Sequence, residues 1–298
     1  MLTPRCWDSR VAALLWKASR IGRRLSAKHV AKLIQRQAVL EPGEQSAEER
    51  AQEYLRRRLE AYWGSFRALS QRGWEAHVDW EGEEHLVRAL ESGRGVVLWF
   101  FSFCQSLIML QALREKGYRV AHLSRIAHGA PSNSFVGLAV LAEFARRAEN
   151  RYLAERIVID RKLTPRSMRR IERLLADNYC LTVRGDQEAT PGLTETLFGK
   201  PVCLAPGAPS LAWKTGATLL TIGLYRKGFG RYGLRVDPPI AVDPTIDRKT
   251  AVRQAASVFT ERLERRAESH PDDWDGWERS QGFWMQDSDR QTSLVTRE

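Results

Sequence analysis

The chain has 298 residues, of which 43% are hydrophobic, a supply that excludes wholesale disorder and allows one large domain or two small ones. A formal net charge of +11 points to an anionic partner: nucleic acid, an anionic lipid surface, or a phosphorylated carrier or substrate. Cys6, Cys104, Cys180 and Cys203 are widely spaced, with no C-x-x-C and no paired histidine; this pattern speaks against a disulfide frame and a zinc site and predicts reduced thiols in a cytosolic protein.

From Val11 to Gln37 the apolar residues Val11, Leu14, Leu15, Ala18, Ile21, Leu25, Leu33 and Ile34 recur at helical steps. Lys17, Arg20, Arg23, Arg24, Lys28, Lys32 and Arg36 lie between them. Such a basic amphipathic helix suits an interfacial position, and it equally suits a core-packed helix with a solvated charged face. Asp8, Arg10 and Lys17 interrupt the apolar residues too early for a signal peptide, and the longest apolar run, Val96 to Phe101, is too short to span a bilayer. The expectation is a protein that stays on the side of the membrane where it is made.

Glu41-Pro42-Gly43-Glu44 breaks this first helix, and a second carries Tyr54, Leu55, Leu59, Tyr62, Trp63 and Phe66 along one side. Beyond Gly73 strands are predicted at Gly95–Phe101, Tyr118–Leu123, Arg156–Ile159, Tyr179–Val183, Val202–Leu204, Ala217–Tyr225 and Leu234–Val236. Helices are predicted near Glu83–Ser92, Cys104–Lys116, Pro165–Asp177, Ala208–Thr215 and Lys249–Ser269. The alternation predicts an α/β fold, a mixed but mostly parallel sheet flanked by helices. The division expected is an N-terminal helical segment over 1–72, a candidate for docking on a membrane, an α/β domain over 73–284 and a polar tail over 285–298.

Three segments carry a resemblance. Glu84–Val97 holds a helix, a Gly93-Arg94-Gly95 turn and a strand start. Asp186-Gln187, Phe198-Gly199-Lys200-Pro201, Ala205-Pro206-Gly207-Ala208, Lys214-Thr215-Gly216-Ala217 and Tyr225-Arg226 follow in order, and His270-Pro271-Asp272-Asp273-Trp274 closes the series. Their order and spacing resemble the lipid A lauroyl/myristoyl acyltransferase family of the lysophospholipid acyltransferase superfamily. That resemblance implies a glycerolipid acyltransferase-like domain with N-terminal helices that help it dock on a membrane.

In the family the strand after Gly-Arg-Gly ends in H-x4-(D/E), whose His deprotonates the acceptor hydroxyl while the acid orients it. Here Ser102 stands in the place of the His and Leu107 in that of the acid. A serine hydroxyl is too weak a base near neutral pH, and leucine accepts no hydrogen bond. His270 and Asp275 repeat the spacing but lie in the H-P-x-x-W segment, and are not read as the missing pair.

Substitute catalytic candidates are Asp186, His122, His128, Ser102 and Cys104. His122 and His128 are expected just after the next strand, near the sheet edge where ligands of open α/β folds bind; the plainer reading is a packed His122 and a loop His128. Asp186 and Glu188 follow the strand Tyr179–Val183. A carboxylate there could bind an acceptor amine, act as a base if buried, or merely cap a turn beside Gly185. Cys104 or Ser102 could serve a covalent route with a histidine as activator, although a cysteine on an apolar junction is more often a packed residue. Arg125, Arg184 and Arg226 near strand ends suit phosphate or carboxylate, Gly207 opens a helix with free amides, and Gln105 and Gln187 complete the substrate-binding set.

The function these features favour is acyl transfer from a carrier-protein or CoA thioester to a hydroxyl or amine acceptor, with no cofactor beyond that thioester and no metal. The partners expected are acyl carrier protein or acyl-CoA and an anionic membrane surface, with the protein peripheral on the cytoplasmic face of the cell membrane. The alternative is a catalytically inactive homologue that binds an acyl carrier, a lipid or a partner enzyme. Nucleic-acid binding rests on charge alone, without a helix-turn-helix, zinc or aromatic RNA-binding signature, and is not expected.

Overall fold

The computed structural model describes residues 46–68, 76–125, 142–159, 163–187, 192–228, 230–278 and 283–285, with Ile34 and Ala189. In chain order its elements are α1 (Ala47–Ala68), β1 (His77–Glu81), α2 (Glu83–Glu91), β2 (Val96–Phe100), α3 (Ser106–Glu115), β3 (Val120–Arg125), α4 (Ala142–Asn150) and β4 (Glu155–Ile159). Then come α5 (Pro165–Ala176), β5 (Cys180–Arg184), β6 (Leu193–Leu197), β7 (Lys200–Leu204), α6 (Gly207–Thr215), β8 (Thr218–Gly228), β9 (Arg231–Val236) and α7 (Arg248–Ser269). Short 3-10 turns at Pro271–Asp273 and Asp275–Glu278 follow.

Seven strands form one sheet in the order β1-β9-β8-β2-β5-β3-β4. β8, β2, β5, β3 and β4 run parallel, while β9 is antiparallel to β8 and carries β1 parallel to itself. This is the mixed, mostly parallel α/β fold expected from the alternation of elements. β2 lies at its centre, with every residue buried. A strand covered on both faces must be apolar throughout, and that is why Val96–Phe101 reads as a continuous run. Its alternate residues feed two cores: Val97, Trp99 and Phe101 pack with Leu211, Phe259 and Leu263, whereas Val96, Leu98 and Phe100 pack with Leu86, Ile108 and Leu113.

All seven predicted strands and all five predicted helices of the α/β region are present, with ends shifted by a few residues. β1, β6 and α4 were not foreseen. β1 is an edge strand, β6 pairs only with β7, and α4 has nine residues, so none displays a long apolar pattern. The β6–β7 hairpin turns through Phe198 (φ 51°) and Gly199 (φ 69°). Two left-handed residues in a two-residue loop make the primed turn that matches strand twist. A phenylalanine in that conformation is strained, and stacking of its ring on Trp277 at 5.7 Å holds it there.

Of the predicted basic helix, Ile34 alone falls within the described residues; it is helical and packs against the core. The rest of that segment and the tail beyond Met285 lie outside them. No helix among the described residues is long and apolar enough to cross a membrane.

Candidate active site

At the carboxyl end of β2 the chain continues through Phe101, Ser102 and Phe103, and the last of these forms an antiparallel bridge with Trp274. Cys104 N–H donates to the Asp273 carbonyl at 2.8 Å, and Asp275 N–H donates to the Ser102 carbonyl at 2.8 Å. The H-P-D-D-W segment is thereby laid along the strand end as a short extra strand. Cys104 takes a left-handed φ of 52°, which turns the chain and delays α3 to Ser106, two residues after the predicted start.

β5 delivers the other half. Gly185 N–H bonds the Phe100 carbonyl at 3.0 Å, and a Cβ at this glycine would lie 2.1 Å from the Phe259 ring and 2.5 Å from Trp99 Nε1. Only glycine fits there, and the close approach lets Asp186 turn in toward β2. Asp186 is fully buried. Its Oδ2 accepts from Ser102 N–H at 3.1 Å and from Trp274 Nε1–H at 2.8 Å, and its Oδ1 accepts from the Ser102 hydroxyl. Arg184 Nε donates to that same Ser102 Oγ, lies 3.6 Å from Asp186 Oδ1, and places Nη2 3.6 Å from Asp275 Oδ2.

A buried carboxylate is tolerated when its lone pairs are occupied by donors and a cation stands near. Here the Ser102 N–H and hydroxyl, the Trp274 indole and the Arg184 guanidinium supply both. Ser102 is therefore an acceptor for arginine and a donor to aspartate, a node that no imidazole enters among the described residues.

The acyltransferase family model for bacterial lipid A biosynthesis matches residues 19–277. The chain belongs to that family. Among solved structures, the 1-acyl-sn-glycerophosphate (LPA) acyltransferase PlsC from Thermotoga maritima is similar over 90% of this chain and 99% of that one, at 14% identity and a TM-score of 0.43. No curated protein matches the chain significantly.

In this acyltransferase the residue that the spacing aligns with the family's acid is enclosed. Leu107 is buried and packs with Ala148 and Tyr152. One residue earlier, Ser106 Oγ donates to Glu149 at 2.9 Å, and Glu149 also pairs with Arg156 at 2.7 Å. That carboxylate is committed to a buried ion pair and does not stand in for the acid.

The sequence-selected residues divide as follows. Ser102, Asp186 and Arg184 converge directly. Arg226 joins through its backbone N–H, which bonds Asp273 Oδ2 at 2.9 Å, and Cys104 joins through the Asp273 carbonyl. Gln105 caps the start of α3, and both polar atoms of its amide are buried with no hydrogen-bond partner. Gln187 continues the Asp186 turn, with its N–H on the Gly185 carbonyl at 2.9 Å. Gly207 opens α6; the helix ends beside Arg94 at the amino edge of the sheet, so Gly207 lies toward the opposite, carboxyl edge. Arg125 ends β3 and is exposed. His128 and Glu188 lie outside the described residues.

Two expectations are corrected. His122 does not follow β3 at the sheet edge. It is buried within the strand, its Nδ1 2.8 Å from Thr182 Oγ1 and its ring against Phe100, because Thr182 stands opposite it in the register. The covalent route through Cys104 also loses its basis. Burial, aided by the Asp273 and Asp275 carboxylates, pushes the thiol well above the usual cysteine range, so the nucleophilic thiolate is suppressed.

What sequence reasoning missed is the C-terminal segment. Trp274, Asp273 and Asp275 all contribute to the node, and the signal was present in the H-P-D-D-W block itself. His270 and Asp275 are indeed not a pair: His270 stacks on Tyr225 at 4.6 Å while Asp275 faces Arg184. The segment also clamps α1, since Arg57 Nη1 donates to Asp273 Oδ1 at 2.6 Å and Nη2 lies 3.3 Å from Asp272 Oδ2. A cavity of about 340 Å³ lined by Arg94, Glu172 and Lys214 lies at the amino edge of the sheet, away from this node.

Burial, with smaller contributions from Glu53 and Asp273, pushes the Asp272 carboxyl up to about 6 despite Arg57. A raised carboxyl binds its proton more tightly folded than unfolded, so this group's stabilising contribution is lost as pH rises from about 4 through about 6 and stays lost above that. The His270 ring, held below the ordinary imidazole range chiefly by burial, opposes it in the same window, so a variant is needed to isolate the effect. Asp272→Asn is expected to gain in Tm relative to wild type between pH 5 and pH 8. A difference in Tm that stays flat with pH would refute this.

Proposed function

We propose that the acyltransferase moves an acyl group from a carrier-protein or CoA thioester to a hydroxyl or amine acceptor at the carboxyl ends of β2 and β5. In this reading Ser102 and Leu107 stand for the usual His and acid. The observation that carries it is the Ser102–Asp186–Arg184 node, which keeps a fully hydrogen-bonded polar centre where the family places its base. A position freed from selection inside an apolar core would be expected to fill with apolar side chains, since each unsatisfied buried polar group costs about 1–3 kcal/mol.

Arg184 offers the charge to stabilise a carbonyl oxygen as it becomes an oxyanion, and the unoccupied amide of Gln105, just beyond the end of β2, offers a second donor. Neither supplies a base, so proton removal falls to another group or to the acceptor itself. The net charge of +11 supports docking on an anionic membrane surface and recognition of an acidic carrier or CoA.

The test uses the full chain with lauroyl-acyl carrier protein or lauroyl-CoA, phospholipid vesicles containing lysophosphatidylethanolamine as acceptor, and release of free thiol as readout. Acceptor-dependent thiol release is expected. Donor binding without transfer from either thioester would overturn this reading in favour of an inactive carrier-binding homologue.

A further inference from the structure

We propose that Asp275 takes up the proton during transfer, and that the acceptor it serves is a primary amine. This rests on the acyl-transfer reading above and narrows it to one acceptor class.

Asp275 is anchored beside the vacated base position by its own backbone, through the 2.8 Å bond from its N–H to the Ser102 carbonyl. Its carboxylate lies 3.6 Å from Arg184 Nη2, while Nε of the same guanidinium holds Ser102 Oγ. One guanidinium thus separates this carboxylate from the atom that replaces the family's imidazole.

The other carboxylates of this edge are enclosed. Asp186 is 0% exposed and already accepts from Ser102 and Trp274; the Asp273 side chain is 2% exposed and accepts from Arg57 and from Arg226 N–H. The Asp275 side chain is 18% exposed. Among Asp186, Asp273 and Asp275 it is the most exposed. Arg184 pairs with it at 3.6 Å, and the Asp275 charge also acts on the Cys104 thiol.

The chemistry then selects the acceptor. A carboxylate is a poor base for an alcohol, whose proton must begin to leave as oxygen attacks. A neutral amine needs no such help and requires only that a proton be removed afterward. The amine nitrogen attacks the thioester carbonyl carbon, a C–N bond forms, and negative charge gathers on an oxygen beside Arg184. The C–S bond breaks, and the sulfur departs with its electron pair. The proton on the new N⁺–H passes to Asp275 and from there to the thiolate or to water. The products are an amide and a free thiol, and nothing is oxidised or reduced. The same carboxylate attracts the ammonium form of the acceptor before it loses its first proton to solvent.

Lysophosphatidylethanolamine, which carries one primary amine and one hydroxyl, tests this within a single molecule. With the full chain and lauroyl-CoA, the product is identified by mass and by mild alkali, which cleaves esters and spares amides. Wild type is expected to form the amide, and both Asp275→Asn and Asp275→Ser to form it about 100-fold more slowly or worse. Amide formation at the wild-type rate by either folded variant overturns the proposal, as does a wild-type product that is ester alone; both outcomes leave the acyl-transfer reading intact. If neither variant folds, as shown by its melting curve, the amide-to-ester ratio of wild type alone decides. No transfer at all by wild type, from lauroyl-CoA or lauroyl-acyl carrier protein, overturns both readings.

Discussion

Replacing Asp186 with alanine is expected to destabilise the protein by about 3–5 kcal/mol and to abolish any acyl transfer. The carboxylate is fully buried and accepts three hydrogen bonds, from Ser102 N–H, Ser102 Oγ–H and Trp274 Nε1–H. Its removal leaves a buried indole N–H and a buried backbone N–H without this acceptor and takes one of the two carboxylates at 3.6 Å from Arg184, and losing one member of a buried charge network carries a cost of that size. The check is the midpoint of urea unfolding at unchanged slope. Asp186→Asn separates stability from charge, because the amide oxygen still accepts while the guanidinium loses one of its two neighbouring carboxylates. It is expected to lose less than half as much stability. If the alanine variant unfolds within about 1 kcal/mol of wild type, the node is not the organising centre of this edge.

The second large effect belongs to Trp274. Its ring is fully buried among Phe103, Trp277, Phe283 and Trp284, with centroids at 6.3, 4.7, 6.3 and 5.9 Å. Trp274→Ala removes that packing and is expected to cost about 3–5 kcal/mol. Trp274→Phe keeps most of the packed area and loses the bond to Asp186, so about 1–2 kcal/mol is expected. The phenylalanine variant is the more informative of the two. A stable protein with much reduced acyl transfer would show that the indole orients Asp186, whereas full activity would confine Trp274 to packing. Denaturant midpoints and the thiol-release rate, measured on the same preparations, distinguish these outcomes.

Much of the architecture could be read from the chain because it rests on local regularities. The continuous apolar run Val96–Phe101 is what a strand buried on both faces requires, and the helical spacing in Pro165–Ala176 and Arg248–Ser269 reflects one face turned to the sheet. Ser102 and Leu107 were also legible, since a fixed spacing after Gly93-Arg94-Gly95 locates them without any knowledge of the fold. His122 was misplaced for a matching reason. Its strand was foreseen to end at Leu123 and runs on to Arg125, which puts His122 in the middle of the strand and not near its end. Cys104 shows the reverse error: helical periodicity continues through it, but a left-handed φ of 52° begins the turn there.

The sequence by itself determined the α/β alternation and the family, because each is written in residue type and short-range spacing. Which groups surround Ser102 was decided only by tertiary structure. Asp186, Trp274 and Asp275 lie 84, 172 and 173 residues beyond Ser102 in the sequence, and their meeting follows from β5 pairing with β2 and from the C-terminal segment bridging Phe103. Hydrogen bonds and charge act over a few ångströms, and no local pattern in the chain records distances that close only when separate strands come into register.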